Sequence, residues 1–264
     1  MTKKLAIAIS GAVSLGSFEA GVIYEVLEAI ARHNENDQSQ GNQIEIDIIT
    51  GASAGGMTAC ILSHSLLFDG EALRKPYENP LYKAWVKEVD IVNLLQFKNN
   101  RDDQKRALLN VEKIEEVGKI YLPDKENTKG QKHLAVSSEI QIGIAMSNLN
   151  GFTYGIDTNQ ASIEYTRFKD RYICSVSREE DEEKGATAIL REKELGLDGW
   201  EENPKPATWS MLRDVGIASG AFPFAFPLRP IFRKGLGKFW TRDSNIKAHK
   251  APDSVHEGNY LYTD

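Results

Sequence analysis

The 264-residue chain has two cysteines, Cys60 and Cys174, too few for a disulfide framework or for a four-ligand zinc site built from thiols. No apolar run approaches the roughly 18 residues that cross a bilayer. The apolar stretch Leu5 to Ile9, behind Met1-Thr2-Lys3-Lys4, is shorter than the about 7–15 residues of a secretory signal core. No basic stripe is present: 32 Lys and Arg stand against 38 Asp and Glu, a net charge of −6, so a nucleic-acid partner is not expected. There are no internal repeats and no low-complexity segment. These absences exclude collagen, coiled coil, disordered tail and integral membrane protein. What remains has the 41% hydrophobic and 27% charged balance of a globular domain, in a reducing, cytoplasmic compartment.

Residues 5–9, LAIAI, read as a short buried strand of the kind a covered parallel sheet contains. A helical pattern runs from Ser17 to His33. Val22, Ile23, Val26, Leu27, Ile30 and Ala31 are on its apolar side, and Glu19, Glu25, Glu28 and Arg32 on the other. A polar loop leads to a second strand, IEIDIIT at 44–50, and a second helix over 55–68. Strand, helix, strand, helix in this order predicts a βαβα unit with parallel strands. Residues 69–132 read as short helices and loops, an insertion over one end of the sheet. Strands are expected at 133–147, 165–177, 228–233, 238–242 and 259–264, with REEDEEK at 178–184 as a solvated acidic loop. Thr208 is a candidate cap for a helix from Trp209 to Ser219, ended by Gly220 and a Pro-rich run.

The sharpest motif is Gly51-Ala52-Ser53-Ala54-Gly55, a G-x-S-x-G between a predicted strand and a predicted helix. A serine on such a turn is exposed at a sheet edge, beside a helix N-terminus that favours developing negative charge. Gly51 and Gly55 suit the turn because side chains there would strike the strand and helix. A nucleophilic serine needs backbone N–H groups for the oxyanion. The loop after the first strand, with Gly11, Ala12, Val13 and Gly16, lies at the same edge and is the candidate. A phosphate loop is the weaker reading, because Ser17-Phe18 stands where Lys-Ser/Thr is required.

The base is open at this point. Of the five histidines, His256 is the one placed late and near a strand, which would make a Ser-His-Asp esterase of another fold. His33 and His64 read as surface or packing residues. Only one strand precedes the strand that leads to Ser53, which favours a different fold and a different base.

The chain resembles a patatin-like phospholipase domain over essentially its whole length. Four segments carry the resemblance: SGAVSLGSFEAGV, GASAGG, AVSSEIQIGIAMSNLNG and ASGAFPFAFP. The resemblance implies a three-layer α/β/α fold with a central, mostly parallel sheet, as one domain over 1–264. It implies a Ser–Asp dyad without metal or cofactor, the aspartate ending a late strand. Asn259-Tyr260-Leu261-Tyr262-Thr263-Asp264 matches that strand, giving Ser53 and Asp264 as the expected pair. The implied activity is hydrolysis of fatty-acyl esters through an acyl-serine, with lipid as substrate and peripheral contact with a membrane surface.

Two departures stand out. The family pattern continues with Gly after the aspartate, so the sequence reads as the N-terminal part of a longer protein, with Asp264 expected to be poorly held. The family's G-G-G-x-R/K-G loop is here Gly11-Ala12-Val13-Ser14-Leu15-Gly16, which lacks the cation. That change leaves a non-catalytic lipid- or partner-binding module as an alternative. An aspartate of ordinary pKa, about 3.9, is a weak base for a hydroxyl, so burial of Asp264 is expected. Met57, Ile61, Phe222, Phe224, Phe226 and the 69–132 segment are the candidates to line an acyl channel.

Overall fold

The computed structural model describes residues 2–12, 15–36, 41–97, 107–125, 129–157, 161–181, 183, 185–196, 199–233, 249–250 and 258–264. The chain starts with β1 (Lys3–Ile9), α1 (Gly16–Glu35), β2 (Ile44–Ala52) and α2 (Ala54–Phe68), the expected βαβα unit. β1 and β2 pair in parallel, ending with Ile9 opposite Gly51. In α1, Ala20, Ile23, Leu27, Ile30 and Ala31 are buried at helical spacing. Val22 and Val26, expected in the core, are exposed on the flank of that stripe. Glu28, expected in solvent, is buried, and Arg74 reaches it at 3.0 Å. Burial of that carboxylate is tolerated because it is paired. α2 has no charged side chain and is buried from Gly55 to Phe68, as a helix apolar all round must be.

Short elements follow, as the irregular pattern predicts: α3 (Gly70–Leu73), α4 (Pro80–Tyr82), a π turn over Lys83–Glu88, α5 (Ile91–Leu94) and α6 (Glu112–Tyr121). Then come β3 (Val136–Asp157), β4 (Ser162–Asp181), β5 (Gly185–Gly196) and β6 (Gly199–Pro206). The acidic run expected as a loop is partly strand: Arg178 to Asp181 continue β4 and pair with Gly185–Ala188 of β5. Arg178 anchors it, donating to the Leu67 carbonyl at 2.5 Å with its guanidinium over the Phe68 ring. α7 (Trp209–Ser219) has the expected cap, the Thr208 hydroxyl accepting from the Met211 N–H. β7 (Arg229–Arg233), β8 (His249–Lys250) and β9 (Gly258–Thr263) complete the chain. The strand expected at 238–242 lies outside the described residues.

The fold is mixed α/β, a central sheet flanked by helices, in the order β1-β2-β3-β4-β5-β6, with β8 and β9 also pairing with β3, and β7 with β9. The parallel character expected of the sheet belongs to β1–β2–β3, where the crossovers α1 and α2 join strands running the same way. From β3 onward the ladders are antiparallel, because hairpins connect β3, β4, β5 and β6. Ile140, Ile142, Ile144 and Met146 of β3 alternate into one core with Tyr172, Cys174 and Val176 of β4 and with α2 and α7. β1, expected to be buried, is the outer strand of the path, and all but Ile7 and Ile9 are exposed along it.

Candidate active site

Ser53 stands between the end of β2 and the start of α2, half-buried, with φ 54° and ψ −129°. Such a backbone is strained for a residue with a side chain, by about 1–3 kcal/mol. The neighbours that enforce it are the two glycines. A Cβ on Gly51 would lie 2.2 Å from the Gly55 carbonyl oxygen, and one on Gly55 would lie 2.5 Å from the carbonyl oxygens of Ile9 and Ser10. The turn is therefore as tight as three backbones allow. The Gly56 N–H donates to the Ser53 carbonyl at 2.9 Å and starts α2.

β3 acts as the ruler that brings the second group in. β2 runs parallel along it and stops with Ala52 opposite Ala145. β9 runs antiparallel and stops with Thr263 opposite Ser147. Since β4 occupies the other edge of β3 at these positions, β2 and β9 share one edge and meet head to head. Ser53 and Asp264 are the next residues of each strand. The Ser53 hydroxyl donates to Asp264 Oδ2 at 2.8 Å. Asp264 is exposed rather than buried, and it is held: its N–H donates to the Ala221 carbonyl at 3.2 Å, and the Thr263 hydroxyl donates to the same oxygen.

Of the expected oxyanion residues, Gly11 lies against Ser53, where a Cβ would meet that of the serine at 3.0 Å. Ala12 follows it, half-buried. Val13 lies outside the described residues. Gly16 opens α1 beneath Trp85, whose ring would sit 2.6 Å from an added Cβ. The Trp85 indole N–H donates to Thr58 Oγ1 at 3.0 Å, tying the π turn to the second turn of α2.

The patatin-like phospholipase family description matches residues 7–240. The chain belongs to the patatin-like phospholipase family. The patatin-like family is generally hydrolytic on lipid esters. An uncharacterized protein of Sinorhizobium fredii, y4iI, is 24% identical over 266 residues, covering 87% of this chain and 37% of that protein. The chain thus spans little more than a third of that relative's length.

Around Ser53 and Asp264, the remaining candidates separate. Among the histidines, His64 is core, edge-on to Trp209 at 4.8 Å, with burial holding its pKa down at about 4. His33 is exposed, and His256 lies outside the described residues. Met57 and Ile61 belong to the core rather than to a channel, and Phe222 and Phe224 are exposed. The 69–132 segment does contribute to an apolar groove of about 710 Å³ along α1, where Tyr77 and Tyr82 face Phe18, Gly21, Val22 and Val26. The groove is open to solvent, with Phe18, Val22 and Tyr77 exposed along it. Among the described residues no helix is long and apolar enough to cross a membrane.

One device was not legible in the sequence. Tyr262 of β9 is fully buried, and its hydroxyl donates to Asp170 of β4 at 2.5 Å. Arg233 of β7 approaches the same carboxylate at 3.7 Å. Burial raises the Asp170 pKa, and the Arg233 charge and the Tyr262 hydrogen bond oppose it. The cluster pins β9 two residues before Asp264. The alternating tyrosines of NYLYTD were its one trace.

Proposed function

We propose that the protein is a serine lipid acyl hydrolase of phospholipase A type, working through Ser53 and Asp264. The observation that carries this reading is the 2.8 Å hydrogen bond from the strained Ser53 to Asp264 where two strands of one sheet edge meet. Ser53 Oγ attacks the ester carbonyl carbon while its proton passes to Asp264 Oδ2. The carbonyl oxygen becomes an oxyanion beside the N-terminus of α2 and the Gly11–Ala12 backbone, whose N–H groups are the donors assigned to it. The proton then moves from Asp264 to the leaving alcohol as the C–O bond breaks. A water attacks the acyl-Ser53, gives its proton to Asp264, and the fatty acid leaves as that proton returns to Ser53 Oγ.

The acyl tail is assigned to the groove along α1. Its lining includes Ser17 and Phe18 in the first turn of α1, and its apolar wall suits a hydrocarbon chain. The test is hydrolysis of a short-chain ester and of a phospholipid by wild type, Ser53→Ala, Asp264→Asn and His256→Ala. Loss in the first two variants by at least about 10³-fold, with His256→Ala near wild type, is the expected pattern. Full activity in Asp264→Asn with loss in His256→Ala would replace the dyad by a Ser-His pair.

A further inference from the structure

Large apolar side chains are exposed along three segments joined by hydrogen bonds, the first of which starts at the candidate site. The turn after α7 begins there: Gly220 lies beside Ser53, and the Ala221 carbonyl holds Asp264 and Thr263. The next residues face water, with Phe222 exposed and Phe224 82% exposed. This turn is laced to a second segment, the N–H groups of Leu108 and Leu109 donating to the carbonyls of Phe224 and Ala225 at 2.9 and 2.8 Å. That segment is laced to a third. The Asn110 N–H donates to the Leu94 carbonyl at 2.7 Å and its amide to the Gln96 carbonyl at 2.5 Å. Leu108 is 72% exposed, and Ile91, Val92, Leu95 and Phe97 of the third segment are exposed as well. Exposed apolar side chains grouped in this way mark interaction surfaces, whereas scattered ones do not.

Phe224 carries a second, independent sign. Among the described residues only Ser53 and Phe224 are non-glycine residues with positive φ, and Phe224 has φ 66°. A bulky residue in that region is strained. The hydrogen bonds from Leu108, Ala225 and Phe226 hold the turn in place, and its product is an aromatic ring kept in water.

We propose that Phe222, Phe224, Leu108, Leu95, Ile91 and Val92 form a ridge that enters a lipid surface and seats the protein with Ser53 facing that surface. The inference rests on the lipid hydrolase reading for its choice of occupant, since the ridge is continuous with a site whose substrate lies in a lipid layer. The side chains of the ridge are uncharged and the protein carries a net charge of −6, so the attraction is apolar rather than electrostatic. A layer seated there also removes water from the exposed Asp264, strengthening its contact with Ser53.

The test uses the double variant Leu108→Ser with Phe224→Asn, asparagine being tolerant of positive φ. Flotation with neutral phosphatidylcholine vesicles is measured in the wild type, in Ser53→Ala, and in the double variant with and without Ser53→Ala. Expected are equal binding by wild type and Ser53→Ala, little change with salt, and a loss of about tenfold or more in the double variant. Hydrolysis of vesicle lipid falls in parallel, while hydrolysis of a dissolved short-chain ester and the circular dichroism stay near wild type. Unchanged vesicle binding in the double variant overturns the inference even if ester hydrolysis is intact. So does a wild-type dimer that the double variant dissolves without any vesicle binding, because the occupant is then a second copy. If wild type hydrolyses no ester yet binds vesicles through the ridge, the functional reading fails and the docking surface stands.

Discussion

Ser53 and Asp264 are hydrogen-bonded at 2.8 Å although 211 positions separate them in sequence. The contact follows from sheet register. β2 and β9 run toward each other on one edge of β3, and each ends one residue before the pair. The same ends are fixed from below by backbone close packing and from the side by the Ala221 carbonyl. The pairing is thus a property of three strands and one turn, not of two long flexible side chains.

The elbow has no room for a methyl group. Gly55→Ala puts a Cβ 2.5 Å from two carbonyl oxygens at the end of β1, and backbone atoms cannot yield as a flexible side chain can. Loss of about 1–3 kcal/mol of stability, read from urea midpoints, is expected together with loss of ester hydrolysis. Gly21→Ala is the contrast, because nothing lies within 4 Å of a Cβ there. It is expected to be neutral or stabilising, since α1 gains a better helix former.

Tyr262 positions Asp264 without touching Ser53. Tyr262→Phe removes the hydroxyl that donates to the buried Asp170 Oδ2 and leaves that carboxylate with the Arg171 N–H and the more distant Arg233. A cost of about 1–3 kcal/mol in stability is expected. Looser placement of Asp264 should lower kcat on a dissolved ester with KM little changed, and steady-state kinetics on wild type and variant, both folded by circular dichroism, separate this from simple unfolding.

Much of the site-bearing half of the fold was legible from local pattern. LAIAI, the α1 stripe, IEIDIIT and the Gly-rich turn each have a local signature, and Thr208 with Gly220 marks both ends of α7. The rest depends on context. Nothing local shows that β1 has a neighbour on one side only among the described residues, so its apolar run reads as buried. The β5–β6 hairpin follows an acidic run whose charges suit a strand end as well as a loop. Glu28 looks solvated until Arg74, 46 positions away, is placed beside it. For the site, Ser53 has a motif, whereas Asp264 is a single acidic residue whose position required a family resemblance to single out.

Acid should weaken the fold through two buried histidines. Burial lowers the pKa of both His64 and His133 to about 4, with Arg74 adding to the shift of His133. As pH falls below about 6.5 the unfolded chain takes up protons that the folded chain refuses, so stability falls between roughly pH 6.5 and 4. Each group accounts for up to about 3 kcal/mol. His64→Phe, filling the space beside Phe68 and Trp209 with an apolar ring, should flatten that part of the curve. Urea midpoints of wild type and variant across this range measure it. Equal slopes would show that His64 does not contribute.

Filling the groove should select against long acyl chains. Gly21 lines it with open space where a side chain would begin. Gly21→Leu is expected to lower kcat/KM for a long-chain ester by about fivefold or more, with a short-chain ester nearly unaffected. Equal losses on both substrates would place the tail elsewhere.

The reactivity of one oxygen is the most direct thing to measure. A fluorophosphonate should phosphonylate the wild type at a single site, with fluoride leaving and the proton passing to Asp264, and peptide mass spectrometry should map the adduct to Ser53. Asp264→Asn, folded by circular dichroism, should slow that labelling by about 10³-fold. Labelling of Asp264→Asn at the wild-type rate, or an adduct at a residue other than Ser53, would contradict the dyad.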